Sequence, residues 1–422
     1  MKTRVVITGL GVVSPNGIGL ASFTKALRNG LSGIRHVKEM QDLKFSCQIG
    51  GIPEISEEHK RNYFTELQLK GFKSSGILYG SIAAIDAWKD AGLPISDNID
   101  FESGTIFGTG TSGVEKFREA IYKIDDKKVR RLGSKVVAQT MASGVSAYIG
   151  GLIGLGNQVT TNSSACTTGT EAILMGYDRI QAGKANRMLV GSSSDDGVYL
   201  WGGFDAMRVL SYKYNHHPQK GSRPMSDSAC GFVPGSGAGA LVLESLESAL
   251  DRNAPIYAEI LGGELNSGGQ RNGGTMTAPN SEAVVRCISK AMGNSSVQPQ
   301  EIDLINGHLT ATKKDFLEVE NWSKALALEG ENFPYINSLK SMIGHCLAAA
   351  GSIESVASVL QLKEGFIFPN INCEDLNQKI AGLVSVKKIP KKRIEKDINI
   401  VVKASFGFGD VNGCIIFKKY KI

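Results

Sequence analysis

The chain has 422 residues, of which 42% are apolar and 21% charged; these are ordinary globular proportions and exclude a disordered chain. The 50 glycines have no Gly-X-Y period, so collagen is excluded and many tight turns are expected. The formal net charge is +6 without a long Lys/Arg block, so nucleic acid is not demanded, and a basic patch for an acidic protein partner fits equally well.

The start reads as a buried strand over residues 5–7 followed by a turn at Ser14-Pro15-Asn16-Gly17, not as a signal peptide, because Gly9 and Gly11 break the apolar run. A helix is predicted over 77–91, a strand over 103–107 and a helix over 114–124. A strand follows at 158–161, then a helix over 169–182 stopped by Gly183, then strands at 188–190 and 240–243. Near Pro255 the pattern restarts. It gives strand 256–261, helix 282–292, strand 302–305, helix 316–328, strand 335–338, helix 353–362 and a last strand at 414–417. Such alternation implies α/β layers around a largely buried sheet. The restart divides the chain into halves, 1–253 and 254–422, with no linker, so they are expected to pack as one body. Seven cysteines without a C-x-x-C pair argue against a disulfide framework or a zinc site and for a reducing, cytoplasmic compartment. No run approaches the ~18 apolar residues of a membrane span.

Five segments carry candidate chemistry. Gly108-Thr-Gly110-Thr-Ser-Gly113 matches G-x-G-x-x-G between a strand and a helix. The acidic residues near the required offset, Asp125 and Asp126, end a helix and not a second strand, so a close-packed turn is the better reading. Ser163-Ser-Ala-Cys166-Thr-Thr-Gly169 places a cysteine between a strand and a helix, among small residues. Such a turn exposes a nucleophile; the helix N-terminus favours the thiolate, and free N–H groups there suit an oxyanion. The alternative is a buried structural cysteine.

His308 and His345 each follow a strand, where α/β folds gather their chemistry; the alternative for each is a satisfied core histidine. The remaining histidines, His36, His59, His216 and His217, carry that second reading or simple exposure. Thr310 and Thr312 stand beside His308, and Lys340 lies five residues before His345. Glu354 falls off the apolar stripe Ile353, Val356, Ala357 and Leu360 and is placed to pair a buried Lys340. In Ser405-Phe-Gly-Phe408-Gly, a glycine-flanked Phe408 suits a mobile gate with its N–H open to a ligand, or a structural turn.

Taken in order, these motifs resemble the β-ketoacyl-acyl-carrier-protein synthases, the elongating condensing enzymes of the thiolase superfamily. The resemblance runs from Val6-Ile-Thr-Gly through Ala165-Cys166-Thr167, Ser222-Arg-Pro224, Gly231-Phe-Val-Pro-Gly-Ser-Gly-Ala-Gly239 and the two histidine motifs to Ser405-Phe-Gly-Phe-Gly409. It implies a five-layered αβαβα fold from two similar halves, and an acyltransferase with a Cys–His–His site. The implied roles are Cys166 as nucleophile, the N–H groups of Cys166 and Phe408 as oxyanion donors, and neutral His308 and His345 as donors to a thioester carbonyl. Lys340 would organise the network with Asp315, Glu318 and Glu354. Thr277, Thr310 and Thr312 would hold a phosphopantetheine arm, with Thr111, Phe204 and Phe408 at the acyl group. Lys70, Lys73, Lys127, Lys128, Arg130, Arg131 and Arg208 would dock an acidic acyl carrier protein. The resemblance implies no cofactor beyond the carrier's phosphopantetheine and no metal, and a homodimer, or a heterodimer with a second ketosynthase-like chain.

Several positions depart from that pattern. Leu309 replaces a glycine after the first histidine, and Asp315 falls one position early. Asp410-Val411-Asn412 replaces Gly-Thr-Asn, Ser192-Ser-Ser-Asp195 replaces Gly-Gly-Ala-Glu, and Thr111 replaces a bulky aliphatic residue. They suggest a specialised lipid, polyene or polyketide pathway. The competing readings are a non-catalytic chain-length-factor-like partner subunit, a thiolase or initiating enzyme acting on coenzyme A thioesters, and the oxidoreductase of the glycine triplet.

Overall fold

The computed structural model describes residues 3–421, which leaves Met1 and Lys2 of the basic start outside it. The first half contains β1 (Val5–Ser14), α1 (Ser75–Asp90), β2 (Ser103–Thr109), α2 (Val114–Asp125), α3 (Gly144–Ile153), β3 (Val159–Thr160), α4 (Thr168–Gln181), β4 (Arg187–Ser194), α5 (Val198–Ala206) and β5 (Gly237–Ser245). The second contains β6 (Ala258–Ser267), α6 (Ser281–Ser295), β7 (Leu304–Asn306), α7 (Asp315–Leu326), β8 (Tyr335–Asn337), α8 (Ala350–Glu364), β9 (Ile400–Gly407) and β10 (Val411–Lys419).

The strand path shows a duplication. The first half runs β1-β5-β4-β2-β3 and the second β6-β10-β9-β7-β8, the same order twice. In both halves the pairs towards the free edge are parallel, β2 with β3 and β4, and β7 with β8 and β9. The pairs towards the junction of the halves are antiparallel in both. A short antiparallel contact, Val5↔Ile260 to Ile7↔Ala258, joins β1 to β6 and makes the two sheets continuous.

Both faces of each half-sheet are covered, which gives five layers. In β5, Leu241 and Leu243 point to the central layer while Ala240 and Val242 point to the outer one, as the period of two requires. α4 and α8 fill the centre and touch strands of both halves. α1 and α3 cover the outer face of the first half, and α6 and α7 that of the second. α8 is buried from Ala350 to Leu362. A helix buried all round must satisfy its polar side chains locally, and the Ser355 and Ser358 hydroxyls donate to the carbonyls of Gly351 and Glu354.

The expected alternation of elements is present, with changed bounds. β1 continues to Ser14, because Gly9 and Gly11 are packing glycines and do not end the strand. A Cβ on either would lie 2.1 Å from the Ala87 carbonyl oxygen or 1.9 Å from that of Ala83, so only glycine lets α1 lie this close. α3 and α5 went unanticipated; both are glycine-rich and weakly amphipathic.

Candidate active site

Cys166 sits in a single 3₁₀ turn, Ala165–Thr167, between β3 and α4. Ala165 takes a left-handed backbone, φ 49°, a strained choice for a residue with a Cβ. The Thr168 hydroxyl accepts from the Ser164 N–H and donates to the Ala165 carbonyl, holding the turn. The Thr167 hydroxyl donates to the Val411 carbonyl at 3.0 Å and ties the turn to β10. Gly407 lies so close that a Cβ there would come within 3.2 Å of the Cys166 nitrogen. The backbone N–H groups of Phe408 and Cys166 both approach Sγ. Burial pushes the thiol up to about 11, and Lys340 and these two N–H groups only partly oppose it. Desolvation thus opposes the thiolate that the helix N-terminus favours.

His345 Nε2 lies 3.2 Å from Cys166 Sγ. Its Nδ1 accepts the Leu347 N–H at 3.2 Å. In a neutral ring the proton is then on Nε2, so His345 is a donor towards the sulfur and its surroundings. The ring of His308 stands nearly perpendicular to that of His345, with centroids 5.3 Å apart. Burial first, then the nearby positive charge of Lys340, holds both imidazoles well below the ordinary histidine value, so both are neutral. His308 Nδ1 is buried without a protein partner, so no protein group sets its tautomer.

The loop bearing His308 hangs on two carboxylates. Glu318 accepts the N–H groups of His308 at 2.7 Å and Leu309 at 2.6 Å. Asp315 accepts those of Thr310, Ala311 and Thr312, and that of Met225 from the other half. Burial raises Asp315 to about 6 and Glu318 to about 7 against these donors. The cradle lets Leu309 (φ 20°) and Ala311 (φ 63°) hold unusual backbone angles. Beneath the histidines, Lys340 pairs with Glu354, and both are 1% exposed. Lys403, which the sequence reading missed, adds a second ammonium 2.9 Å from the other Glu354 oxygen.

Cys166, His308 and His345 open into a cavity of about 510 Å³, lined also by Phe204, Thr277, Thr310, Thr312, Arg208 and Phe408. Phe408 packs towards Phe204, centroids 6.2 Å apart. Thr111 does not line this cavity; it is exposed at the end of β2. Lys70, Lys73, Lys127, Lys128, Arg130 and Arg131 are exposed and outside it. Lys313 and Lys314 do line its mouth, and the sequence signal for them was present, a Lys-Lys pair directly after Thr312.

The glycine triplet is a packed turn: a Cβ on Gly108 would lie 2.2 Å from Thr168. The N–H of Gly113 at the start of α2 is taken by Asp195 at 2.6 Å, where a phosphate would otherwise bind. The donor atoms of Cys166, His308 and His345 lie within 4.8 Å of one another, as metal ligands do. His345 offers a proton there and not a lone pair, however, which suits a hydrogen-bond acceptor better than a cation.

Models of the β-ketoacyl synthase N-terminal and C-terminal domains match residues 2–249 and 257–374. The chain is 34% identical over 423 residues to 3-oxoacyl-[acyl-carrier-protein] synthase 1 of Escherichia coli K12, covering 99% of each. It is 32% identical to the chloroplastic synthase I of Arabidopsis thaliana, covering 100% of this chain and 87% of that one. Among solved structures, a β-ketoacyl synthase from Burkholderia phymatum superposes with a TM-score of 0.90 at 27% identity over the full length of both chains. The ishigamide ketosynthase/chain length factor does so with 0.88 at 28%, also over both full lengths. A thiolase-like fold and a cysteine facing two neutral histidines thus define a condensing enzyme, an acyltransferase. The chain belongs to the β-ketoacyl synthase family.

Proposed function

We propose that the protein joins an acyl group to malonyl-acyl carrier protein by decarboxylative Claisen condensation, with Cys166, His308 and His345 as its reacting constellation. The observation that carries the residue roles is the Cys166 Sγ–His345 Nε2 approach of 3.2 Å, made beneath the two N–H groups that converge on the sulfur. Cys166 attacks the acyl thioester of a carrier protein. The N–H groups of Cys166 and Phe408 hold the oxyanion. The carbon–sulfur bond to the carrier breaks, the Cys166 proton ends on the carrier's thiol, and an acyl-enzyme results.

Malonyl carrier protein then binds, its arm along Thr277, Thr310 and Thr312. His308 and His345 donate hydrogen bonds to the thioester oxygen. The carboxylate–methylene bond breaks, carbon dioxide leaves, and the electron pair becomes an enolate. The enolate carbon attacks acyl-Cys166, the bond between the acyl carbon and Sγ breaks, the released thiolate takes a proton from solvent, and the product is two carbons longer. We assign Lys340, Asp315, Glu318 and Glu354 to support, and the boundary between functional halves to residues 253 and 254. The substrates arrive on phosphopantetheine, and no further cofactor takes part.

The edge strand β3 carries exposed Val159, and Ile99 (60% exposed) and Phe101 (66% exposed) lie around it. An apolar sheet edge calls for a cover, which supports a subunit interface there, with a second copy or a second ketosynthase-like chain. Seven unpaired cysteines fit a cytoplasmic setting, and no helix of the described residues is long and apolar enough to cross a membrane. Asp410, where the family pattern has a glycine, supports a specialised lipid, polyene or polyketide pathway.

The test is intact-mass analysis after incubation with a panel of acyl carrier proteins. An acyl adduct on Cys166, discharged by malonyl carrier protein to a product two carbons longer, is the expected result. No adduct from any donor on a folded protein defeats the reading.

A further inference from the structure

Lys403 lies on β9, whose Val402, Ala404 and Phe406 face the outer layer. Alternation sends Lys403 and Ser405 inward to the central helices, and Lys403 is 0% exposed. An unpaired ammonium in such a place is strongly disfavoured by desolvation. The structure pairs it with a carboxylate that already has a partner. One oxygen of Glu354 meets Lys340, and the other lies 2.9 Å from Lys403 Nζ. Lys403 also donates to the Ser405 hydroxyl at 3.0 Å and to the Ala404 carbonyl. Ser405 in turn lies 2.9 Å from the Thr170 hydroxyl on α4, the helix that follows Cys166. A Lys340–Glu354 pair alone would be neutral, whereas the cluster with Lys403 carries one positive charge.

We propose that Lys403 is a second charged positioning residue of the condensation site: it shares Glu354 with Lys340, ties that carboxylate to the helix of Cys166 and the loop of His345, and leaves one excess positive charge beneath the two imidazoles. The inference rests on the condensation reading above. Its consequence is electrostatic. A cation below the histidines opposes their protonation, and a protonated Nδ1 on His345 would face the Leu347 N–H that it now accepts. The same charge opposes the loss of negative charge from the enolate that forms above it. The groups facing the cluster are Glu354 on α8, Lys340, Glu318 on α7, both histidines, the thiols of Cys166 and Cys346, and Cys414 on β10.

The experiment compares wild type with Lys403→Met and Lys403→Gln. Either change leaves the Lys340–Glu354 pair intact and neutral. Nitrogen-15 histidine NMR follows the protonation of His308 and His345 with pH, independently of turnover. Wild-type imidazoles are expected to stay neutral through pH 6, and the variants to take up protons at a pH higher by about one unit, the effect of one nearby charge. Turnover with malonyl carrier protein is expected to lose its acid limb about one pH unit higher in the variants than in the wild type. A folded variant with unchanged histidine titration and a pH-independent rate ratio overturns the proposal and leaves Lys403 structural. So does a wild-type histidine pair that protonates near pH 6.5, a reading available even if neither variant folds. Failure of the condensation reading appears separately, as wild-type protein whose histidines stay neutral through pH 6 and which forms no acyl adduct.

Discussion

The two halves use the same turn for different ends. Ala165–Thr167 leads into α4, and Leu347–Ala349 leads into α8; both are 3₁₀ turns that follow the third strand of their half. Their first residues share one left-handed backbone, φ 49° for Ala165 and 50° for Leu347. The two central helices meet at their matching glycines: a Cβ on Gly169 would lie 2.4 Å from the Ser352 nitrogen, and one on Gly351 2.6 Å from the Thr170 nitrogen. The second position of the turn is Cys166 in one half and Ala348 in the other. The turn itself is thus architecture that the duplication supplies twice. Chemistry enters through one sulfur in the first copy and through His345, just ahead of the turn, in the second.

The largest expected effect follows from that asymmetry. Cys166→Ala should abolish acyl-enzyme formation and lower condensation by about 10³-fold or more, since no other group replaces the nucleophile. Moving the thiol to the mirrored turn, Cys166→Ala with Ala348→Cys, should restore nothing. Ala348 is 2% exposed, and its carbonyl accepts the Ser192 hydroxyl. An acyl adduct at position 348 by intact mass would show the turn, not the residue, to be decisive. Next come the histidines. His345→Ala and His308→Ala should each cost about 10²–10⁴-fold in decarboxylation of malonyl carrier protein, measured apart from acylation. His345→Ala should also slow acylation, because His345 Nε2 lies within hydrogen-bond reach of the sulfur.

The loops after the second strands extend the comparison. In the first half Asp195 alone takes the Gly113 N–H at the start of α2, and also the Gly76 N–H at the start of α1. In the second half two carboxylates share the His308 loop, and burial raises Glu318 to about 7. A carboxyl raised on folding binds its proton more tightly in the native state, so its contribution to stability falls as pH rises from about 4.5 to about 7. Wild-type thermal midpoints should therefore drop across that window. Glu318→Gln should flatten the drop by a few degrees, an effect of the order of 1–3 kcal/mol spread over a large chain. An unchanged slope would mean that Glu318 stays ionised.

Asp410 offers a smaller and more local effect. It is 1% exposed and accepts the N–H groups of Gln270 and Asn280, while the Gly409 N–H donates to the Met276 carbonyl. The turn that carries Phe408 is thereby held against residues 268–280, which include Thr277. Asp410→Ala should raise KM for carrier-borne substrates about three- to tenfold with a lesser change in kcat, as two buried donors lose their acceptor. The reverse split, kcat falling at constant KM, would place Asp410 in the chemistry and not in holding the gate.

The sequence was most legible where the chemistry is local. Cys166, His308, His345 and Phe408 sit in short runs rich in glycine and other small residues, and the helical offset of Glu354 from its apolar stripe pointed to Lys340. What it concealed depends on burial. In Val401-Val-Lys403-Ala-Ser405 the alternation that marks a half-exposed strand also describes a strand buried on both faces, so Lys403 read as nothing unusual. The opposition of burial to the Cys166 thiolate is hidden for the same reason, since desolvation belongs to the packed protein. Gly9 and Gly11 imitated the end of a strand because close packing and turning both call for the missing Cβ. Thr111, placed by resemblance, lies outside the cavity because a residue's position in a motif does not say what its side chain lines.

The smallest effect distinguishes two sets of cations. Lys128 is already paired with Asp126 at 2.8 Å and lies, with Lys127, Arg130 and Arg131, outside the cavity. Arg208, Lys313 and Lys314 rim the mouth, and none of them enters an ion pair among the described residues. An acidic carrier must bring its phosphopantetheine to that mouth, so the rim charges act at the shortest range, where salt screens them least. Lys313→Glu with Lys314→Glu should lower kcat/KM for carrier-borne substrates about tenfold and reduce its salt dependence. Lys127→Glu with Lys128→Glu should cost only about two- to fivefold, since exposed charges are each worth a fraction of a kcal/mol and one is already compensated. Neither pair should change acylation by a short thioester without a carrier. If the second pair costs more than the first, the carrier approaches over the surface beyond α2, and the rim lysines serve the arm alone.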